Sequence, residues 1–170
     1  WRQAPFAQEQ MHAGLLRPDG KPAPALKEAR RAADVIAQLG GVGAPSREAA
    51  VVFSYNAEWV TQIQPQGEGL SALWAAFDSY RALRKLGLNV DIVAPDAELS
   101  EYALVVVPCL PIVPDALVSS LKDFEGQVII GPRTGSRTPD FRIPDALPPG
   151  PLQSALLLKV IRSESLRPGL

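Results

Sequence analysis

The chain contains short apolar runs separated by segments with helical periodicity. The run Ala103 to Pro108 (ALVVVP) has no polar residue at alternate positions, which is typical of a parallel strand buried on both faces. Three further runs predict strands of the same sheet: Ala49 to Tyr55, Asn89 to Ala94, and Gln127 to Gly131. We therefore predict an α/β fold with a mainly parallel sheet.

Apolar residues spaced three and four positions apart predict helices around these strands. The stripe between the first two strands consists of Leu73, Ala76, Phe77, Tyr80 and Leu83. Gly87 lies just beyond this stripe and predicts the end of the helix. Pro114 begins another helix, and Pro24 to Leu39 forms one ahead of the sheet. Asn56 to Gly69 is predicted to be a loop.

The ends of the chain are less regular. Residues 1–23 predict a long loop, with a turn at Arg17-Pro18-Asp19-Gly20. Gly41 to Arg47 predicts a linker. A fifth apolar run, Ala155 to Ile161, follows the proline-rich segment Pro132 to Pro151 and predicts an edge strand. The alternation of strands and helices predicts a doubly wound, flavodoxin-like, five-stranded sheet.

Composition and charge exclude several classes of function. The 170 residues are 46% hydrophobic and 21% charged, and their formal net charge of −1 offers no basic surface for nucleic acid or an anionic membrane. No apolar run approaches the ~20 residues that span a bilayer, so we expect a soluble protein. Cys109 and His12 are the only residues of their types, which argues against a disulfide or a zinc site and fits a cytoplasmic protein. We expect the sequence to be a piece of a longer protein.

Two glycine-containing segments match the residue spacing of anion-binding motifs but lack other features that these motifs require. Gly67 to Ala72 matches the dinucleotide fingerprint G-x-G-x-x-A, and Asp91 lies roughly 20 residues further on. The fingerprint requires its first glycine directly after a strand, whereas a long segment intervenes here, so we interpret it as a surface loop. Gly131 to Arg137 lacks the Lys-Ser/Thr ending of a P-loop and is interpreted as a turn. We predict no cofactor.

Cys109 follows the third predicted strand, where class I glutamine amidotransferases place a cysteine nucleophile. A nucleophilic cysteine needs a base, and the only histidine, His12, lies far away in the sequence. Pro108 and Pro111 also replace the glycines that permit a strained turn. We therefore predict a structural thiol and no catalytic residue in the chain.

Glu9 and His12 are spaced i, i+3 and would share one side of a helical turn. A di-iron site would need a second such pair and two more carboxylates, which the spacing does not supply, so no metal site is predicted. Two interpretations stay open at this point. The pair is either solvated or binds a polyhydroxylated ligand, because a carboxylate accepts hydrogen bonds and an imidazole can donate them.

Three segments carry a resemblance to a known family. WRQAPFAQEQMHAGLLRPDGKPAP, VVFSYNAEWVTQIQPQGEG and LVVVPCLPIVP resemble the β-galactosidases of glycoside hydrolase family 42. The resemblance implies that residues 1–40 are the last loop and helix of a catalytic (β/α)₈ barrel and 41–47 a linker. It implies further that residues 48–161 are a trimerisation domain and 162–170 lead to a small β-domain.

The resemblance also implies a function. Glu9 and His12 match the family pattern Q-E-Q-x-H, whose Glu and His bind galactose hydroxyls, whereas the two catalytic carboxyls of the retaining mechanism lie on earlier barrel strands. The expected partners are a galactoside and two further copies in a homotrimer, with Trp59 and Ile63 as contact candidates. The alternative is a free-standing flavodoxin-like domain that binds a small molecule or nucleotide near Tyr55 and Pro108.

Overall fold

Strands and helices alternate through most of the chain. The computed structural model describes residues 14–41, 43 and 45–164. Its elements are α1 (Pro24–Gln38), β1 (Ala49–Val52), α2 (Tyr55–Ile63), α3 (Ala72–Lys85), β2 (Val90–Val93), β3 (Leu104–Val107), α4 (Asp115–Lys122), β4 (Gln127–Ile130) and α5 (Leu152–Ala155). Among the described residues, no helix combines the length and the apolarity needed to cross a membrane.

The chain divides into two compact units, residues 1–44 and 45–170. In the first unit, the predicted turn is confirmed, since Gly20 N donates to Arg17 O at 2.9 Å and Gly20 has a φ of +79°. The predicted helix is confirmed as α1, which begins at Pro24, where a missing N–H costs nothing. Its C-cap is Leu39, and Gly40 then turns the chain with a φ of +68°.

The second unit contains a parallel sheet with strand order β2-β1-β3-β4. Ala49 of β1 pairs with Val90 on one side and Leu104 on the other, and Leu104 pairs with Gln127. All four residues of β1 are buried, as are the last three of β3. The prediction of a mainly parallel sheet with a strand buried on both faces is therefore confirmed.

Helices α3 and α4 cover opposite faces of this sheet. Successive residues of a strand point to opposite faces, so each helix packs on a different set of strand residues. The cluster under α3 contains Ala49, Val51, Ala76, Leu83 and Val106. The cluster under α4 includes Ala50, Val52, Val105, Val107, Leu117 and Leu121. The stripe predicted for α4 therefore faces the core. The stripe predicted for α3 is only partly correct, because Ala76 and Leu83 are buried whereas Leu73 and Phe77 are 47% and 44% exposed.

The predicted fifth strand is wrong, and the described residues contain four strands. The first residue of the run Ala155 to Ile161 instead ends the short helix α5, whose Leu152 is fully buried. Leu157 has a φ of +51° and is 96% exposed, so the run does not continue as an extended strand. Its backbone donors bond locally, as in Leu158 N to Gln153 O at 3.0 Å and Val160 N to Gln153 Oε1 at 2.6 Å.

The predicted loop Asn56 to Gly69 is also wrong, because most of it forms α2. Ser54 caps this helix, with its Oγ accepting a hydrogen bond from Asn56 N at 3.2 Å. The first predicted strand consequently ends at Val52, before Tyr55. Helix α2 places its buried residues Ala57, Val60 and Thr61 against the rest of the unit.

Candidate functional site

The carboxyl ends of β1, β3 and β4 lie at the same edge of the sheet, where open α/β folds bind their ligands. Reactive or charged side chains that follow these strands include Cys109 after β3, Arg133 after β4, and Glu58 on α2, the helix after β1. This edge of the sheet, which we call the carboxyl edge, is therefore the candidate functional site.

Side chains and backbone of the unit itself fill the space between β3 and the loop after β4. Thr134 is 1% exposed, and its Oγ1 accepts a hydrogen bond from Leu110 N at 3.2 Å. Gly131 lies so close to Pro108 that a Cβ at this position would collide with the Pro108 carbonyl oxygen. This close backbone approach explains why position 131 is a glycine and leaves no space for a ligand between β3 and β4 at this point.

Cys109 is a buried free thiol, 3% exposed. Burial raises its pKa, with a smaller lowering from Arg133 and a smaller rise from Glu58. The thiol is therefore protonated at neutral pH, whereas a nucleophile requires the thiolate. The amidotransferase position contains a structural cysteine, and His12 lies outside the described residues.

Arg133 connects the loop after β4 to the end of α2. Its Nη1 donates to Gln64 O at 2.6 Å and to Pro65 O at 3.2 Å, and Arg137 Nε donates to Gln64 Oε1 at 2.8 Å. Burial lowers the pKa of Arg133, and its Nε and Nη2 are buried without a hydrogen-bond partner. The segment Gly131 to Arg137 thus anchors a helix end through its arginines, consistent with its interpretation as a turn.

Glu58 occupies the amino end of α3. Its Oε2 accepts hydrogen bonds from Leu73 N and Ser71 Oγ, both at 2.9 Å, while Ser71 Oγ accepts from Trp74 N at 3.2 Å. Partial burial raises the pKa of Glu58, but the hydrogen bonds from Leu73, Ser71, Gln62 and Ala72 together outweigh it, so the pKa lies below its usual value. The carboxylate is charged and stabilised by the helix terminus.

The hydrogen bonds of Glu58 argue against nucleotide binding at Gly67 to Ala72, the segment that matches the dinucleotide fingerprint. A pyrophosphate would sit at the amino end of α3, where the Glu58 carboxylate already accepts the helix N–H of Leu73. Asp91, the position expected to bind a ribose, accepts a hydrogen bond from Tyr102 OH at 2.8 Å. The glycines therefore lie in the connection between α2 and α3, in agreement with the interpretation of this segment as a surface loop.

Large apolar side chains cover the outward sides of α2 and α3. We call this region the aromatic surface, and its residues with their exposed fractions are Tyr55 (68%), Trp59 (56%), Ile63 (67%), Trp74 (62%) and Phe77 (44%). The rings of Trp74 and Phe77 pack edge to face with centroids 5.7 Å apart. The sequence singled out Trp59 and Ile63 but placed them in a loop, whereas both lie on α2.

Sequence reasoning missed Glu58 and Arg133 and could not test Glu9 and His12. Ser71 carries a recognisable signal, since a serine directly before a helix is a preferred N-cap. Glu58 carries none, because it reaches the α3 terminus from another helix, 13 residues earlier. Glu9 and His12 lie outside the described residues, so the pair predicted to bind substrate remains a prediction.

Comparisons with known proteins place these features in a family context. A family model described as "Beta-galactosidase trimerisation domain" matches residues 47–169. The β-galactosidase of Thermus thermophilus is 52% identical over 170 residues, 100% of this chain and 26% of that protein. The crystal structure of β-galactosidase from the psychrophilic Marinomonas ef1 matches at 42% identity and a TM-score of 0.78, covering 100% of this chain and 27% of that one. The chain thus spans about a quarter of these relatives.

Proposed function

Because this chain belongs to the β-galactosidase trimerisation domain family, we propose that it is part of a β-galactosidase and contains the domain through which three subunits assemble. The observation that carries the proposal is the family match over residues 47–169. The identity of 52% to a β-galactosidase along the whole chain supports it. Hydrolysis of terminal β-D-galactosides with retention would use two carboxyls outside this chain.

The proposed organisation assigns residues 1–40 to the end of a catalytic barrel, 41–47 to a linker, 48–161 to the trimerisation domain and 162–170 to the connection that follows. Two observations support these bounds: the compact units meet between residues 44 and 45, and the family match begins at residue 47. A flavodoxin-like fold for the trimerisation domain is supported by the strand order 2-1-3-4, which agrees with the first four strands of that topology.

The carboxyl edge supports a scaffold role in preference to a small-molecule binding domain. Thr134 and the close approach of Gly131 to Pro108 fill the space between β3 and the loop after β4, and Glu58 occupies the helix terminus that would receive a phosphate. Burial keeps Cys109 protonated. Glu58 and Arg133 use their charged groups to hold α2, α3 and the loop after β4 together through hydrogen bonds.

The test uses the full-length protein that contains this chain. We expect it to hydrolyse an aryl β-D-galactoside with retention of anomeric configuration, and to sediment at three times its chain mass. A protein of full length that is inactive on several β-galactosides would contradict the enzymatic part. An active protein that sediments as a monomer at all concentrations would contradict the assembly part.

For substrate binding we propose Glu9 and His12, which match the family pattern Q-E-Q-x-H. A hydrogen bond to a charged group contributes about 1.5–3 kcal/mol, so Glu9→Gln in the full-length enzyme should lower kcat/KM roughly 10- to 100-fold. His12→Ala should lower it by a similar factor. Met11→Leu, within the same pattern, is the matched control, and unchanged kinetics in both Glu9→Gln and His12→Ala would refute the assignment.

A further inference from the structure

We infer that the aromatic surface of α2 and α3 packs against a second copy of this chain in the assembled protein. The inference rests on the proposed function and names the surface through which the subunits meet. Its residues share two properties: they lie on helices opposite the buried side, and they are large and apolar.

The composition of the aromatic surface differs from that of an ordinary water-facing helix side. Helices that pack on a sheet normally expose polar residues on the opposite side. Here the outward positions of α2 and α3 carry two tryptophans, a tyrosine and a phenylalanine, and Arg81 lies over the Phe77 ring at 5.8 Å. Trp, Tyr and Arg are the residues that contribute most binding free energy in protein interfaces.

The size of the aromatic surface suits a subunit contact. A Trp, Tyr or Phe side chain can bury ~200 Å², so four aromatics that are about half exposed leave roughly 450 Å² to cover. A standard interface buries ~800 Å² on each partner. The aromatics would thus form the centre of such an interface, with Ile63 and the surrounding polar residues completing it.

The connections of the unit to the rest of the polypeptide lie away from the aromatic surface. Ser46 and Glu48 accept hydrogen bonds from Asn89 at the start of β2, so the chain enters at the amino edge of the sheet. Trp74 and Phe77 lie in the first half of α3, which starts at the carboxyl edge because it connects two parallel strands. Helix α5 packs against α4, which covers the opposite face of the sheet from α3.

The family match favours another subunit as the partner of the aromatic surface. The family model that matches residues 47–169 is described as a trimerisation domain, so a second copy is the partner that the proposed function supplies. Charge presents no barrier to a second copy, since Arg81 pairs with Asp78 at 2.9 Å and the formal net charge of the chain is −1.

The test compares two matched double variants of the full-length protein. Trp59→Glu/Trp74→Glu introduces charges on the aromatic surface, and Ala116→Glu/Ser119→Glu introduces them at exposed positions of α4. We expect the first variant to raise the subunit dissociation constant about 100-fold or more in sedimentation equilibrium, and the second to change it less than threefold. An unchanged dissociation constant in the first variant would overturn the inference.

A measurement without substitutions covers the case in which the charged variant fails to fold. Hydrogen exchange of the wild-type protein is followed above and below its dissociation constant. We expect residues 55–77 to exchange at least fivefold faster after dissociation, whereas residues 115–122 stay unchanged. Equal exchange of residues 55–77 in both states would overturn the inference and indicate that another part of the same chain covers them. A wild-type protein that is monomeric throughout would overturn the proposed assembly as well.

Discussion

Helices α3 and α4 pack on opposite faces of the same sheet, yet their outward sides differ. Each presents a regular apolar stripe to the core, with Ala76 and Leu83 on α3 and Leu117 and Leu121 on α4. The outward side of α3 carries Trp74 and Phe77, whereas that of α4 carries small and charged residues such as Ser119 and Lys122. The inward residues account for the packing of both helices on the sheet, whereas the aromatic outward side of α3 belongs to the surface that we propose packs against a second copy.

The largest effect should come from the inward side of α4. Leu117 is fully buried, so Leu117→Ala should lower the free energy of unfolding by about 2–5 kcal/mol through lost apolar burial and the cavity left behind. Ser119→Ala, on the outward side of the same helix, should change it by less than about 0.5 kcal/mol. Urea unfolding of the 170-residue chain measures both. Similar losses in the two variants would remove the contrast between the two sides.

An intermediate effect should come from the contact between α2 and α3. Glu58→Gln removes the charge that accepts hydrogen bonds from Leu73 N and Ser71 Oγ, and should cost about 1 kcal/mol at pH 7. Because the folded pKa of Glu58 lies below its usual value of 4.5, this stabilisation is present above pH 4.5 and is lost as the pH falls through the folded pKa.

Urea unfolding at pH 7 and pH 3 checks this pH dependence. The stability difference between wild type and Glu58→Gln should shrink at the lower pH. Glu68→Gln, at an exposed position in the connection between α2 and α3, is the control and should leave stability within about 0.5 kcal/mol at both values. A difference for Glu58→Gln that is the same at pH 7 and pH 3 would show that its charge does not stabilise the α3 terminus.

The smallest effect on the isolated chain should come from the aromatic surface. Trp74 is 62% exposed, so Trp74→Ala should lower the free energy of unfolding by less than about 1 kcal/mol in dilute solution. This contrasts with the large loss expected for Leu117→Ala and separates a contact residue from a core residue. Denaturant titration at low protein concentration, where association does not contribute, measures the change. A loss above about 2 kcal/mol would mean that Trp74 stabilises the monomer.

Local sequence signals predicted most of the sheet and two of its covering helices. The apolar run Ala103 to Pro108 contains β3, and the stripe from Leu73 to Leu83 lies within α3. Helix α2 was missed because its apolar residues lie on two sides, with Ala57 and Val60 inward and Trp59 outward, which obscures a single periodic stripe. The run Ala155 to Ile161 predicted a strand because apolar content alone does not distinguish a strand from the end of a short helix and the irregular segment after it.

The sequence by itself determined most of the core positions of β1, β3 and α4, because burial of a strand or helix face imposes a spacing that neighbouring residues must follow. It did not separate the buried Ala76 from the exposed Phe77 on α3. It also carried the family resemblance, through local segments that persist in related proteins. Only the tertiary structure decided that Glu58 meets the amino end of α3, that Arg133 holds the end of α2, and that Trp59 and Trp74 are exposed. Those contacts join residues that the chain brings together only by folding back on itself, and no local spacing encodes them.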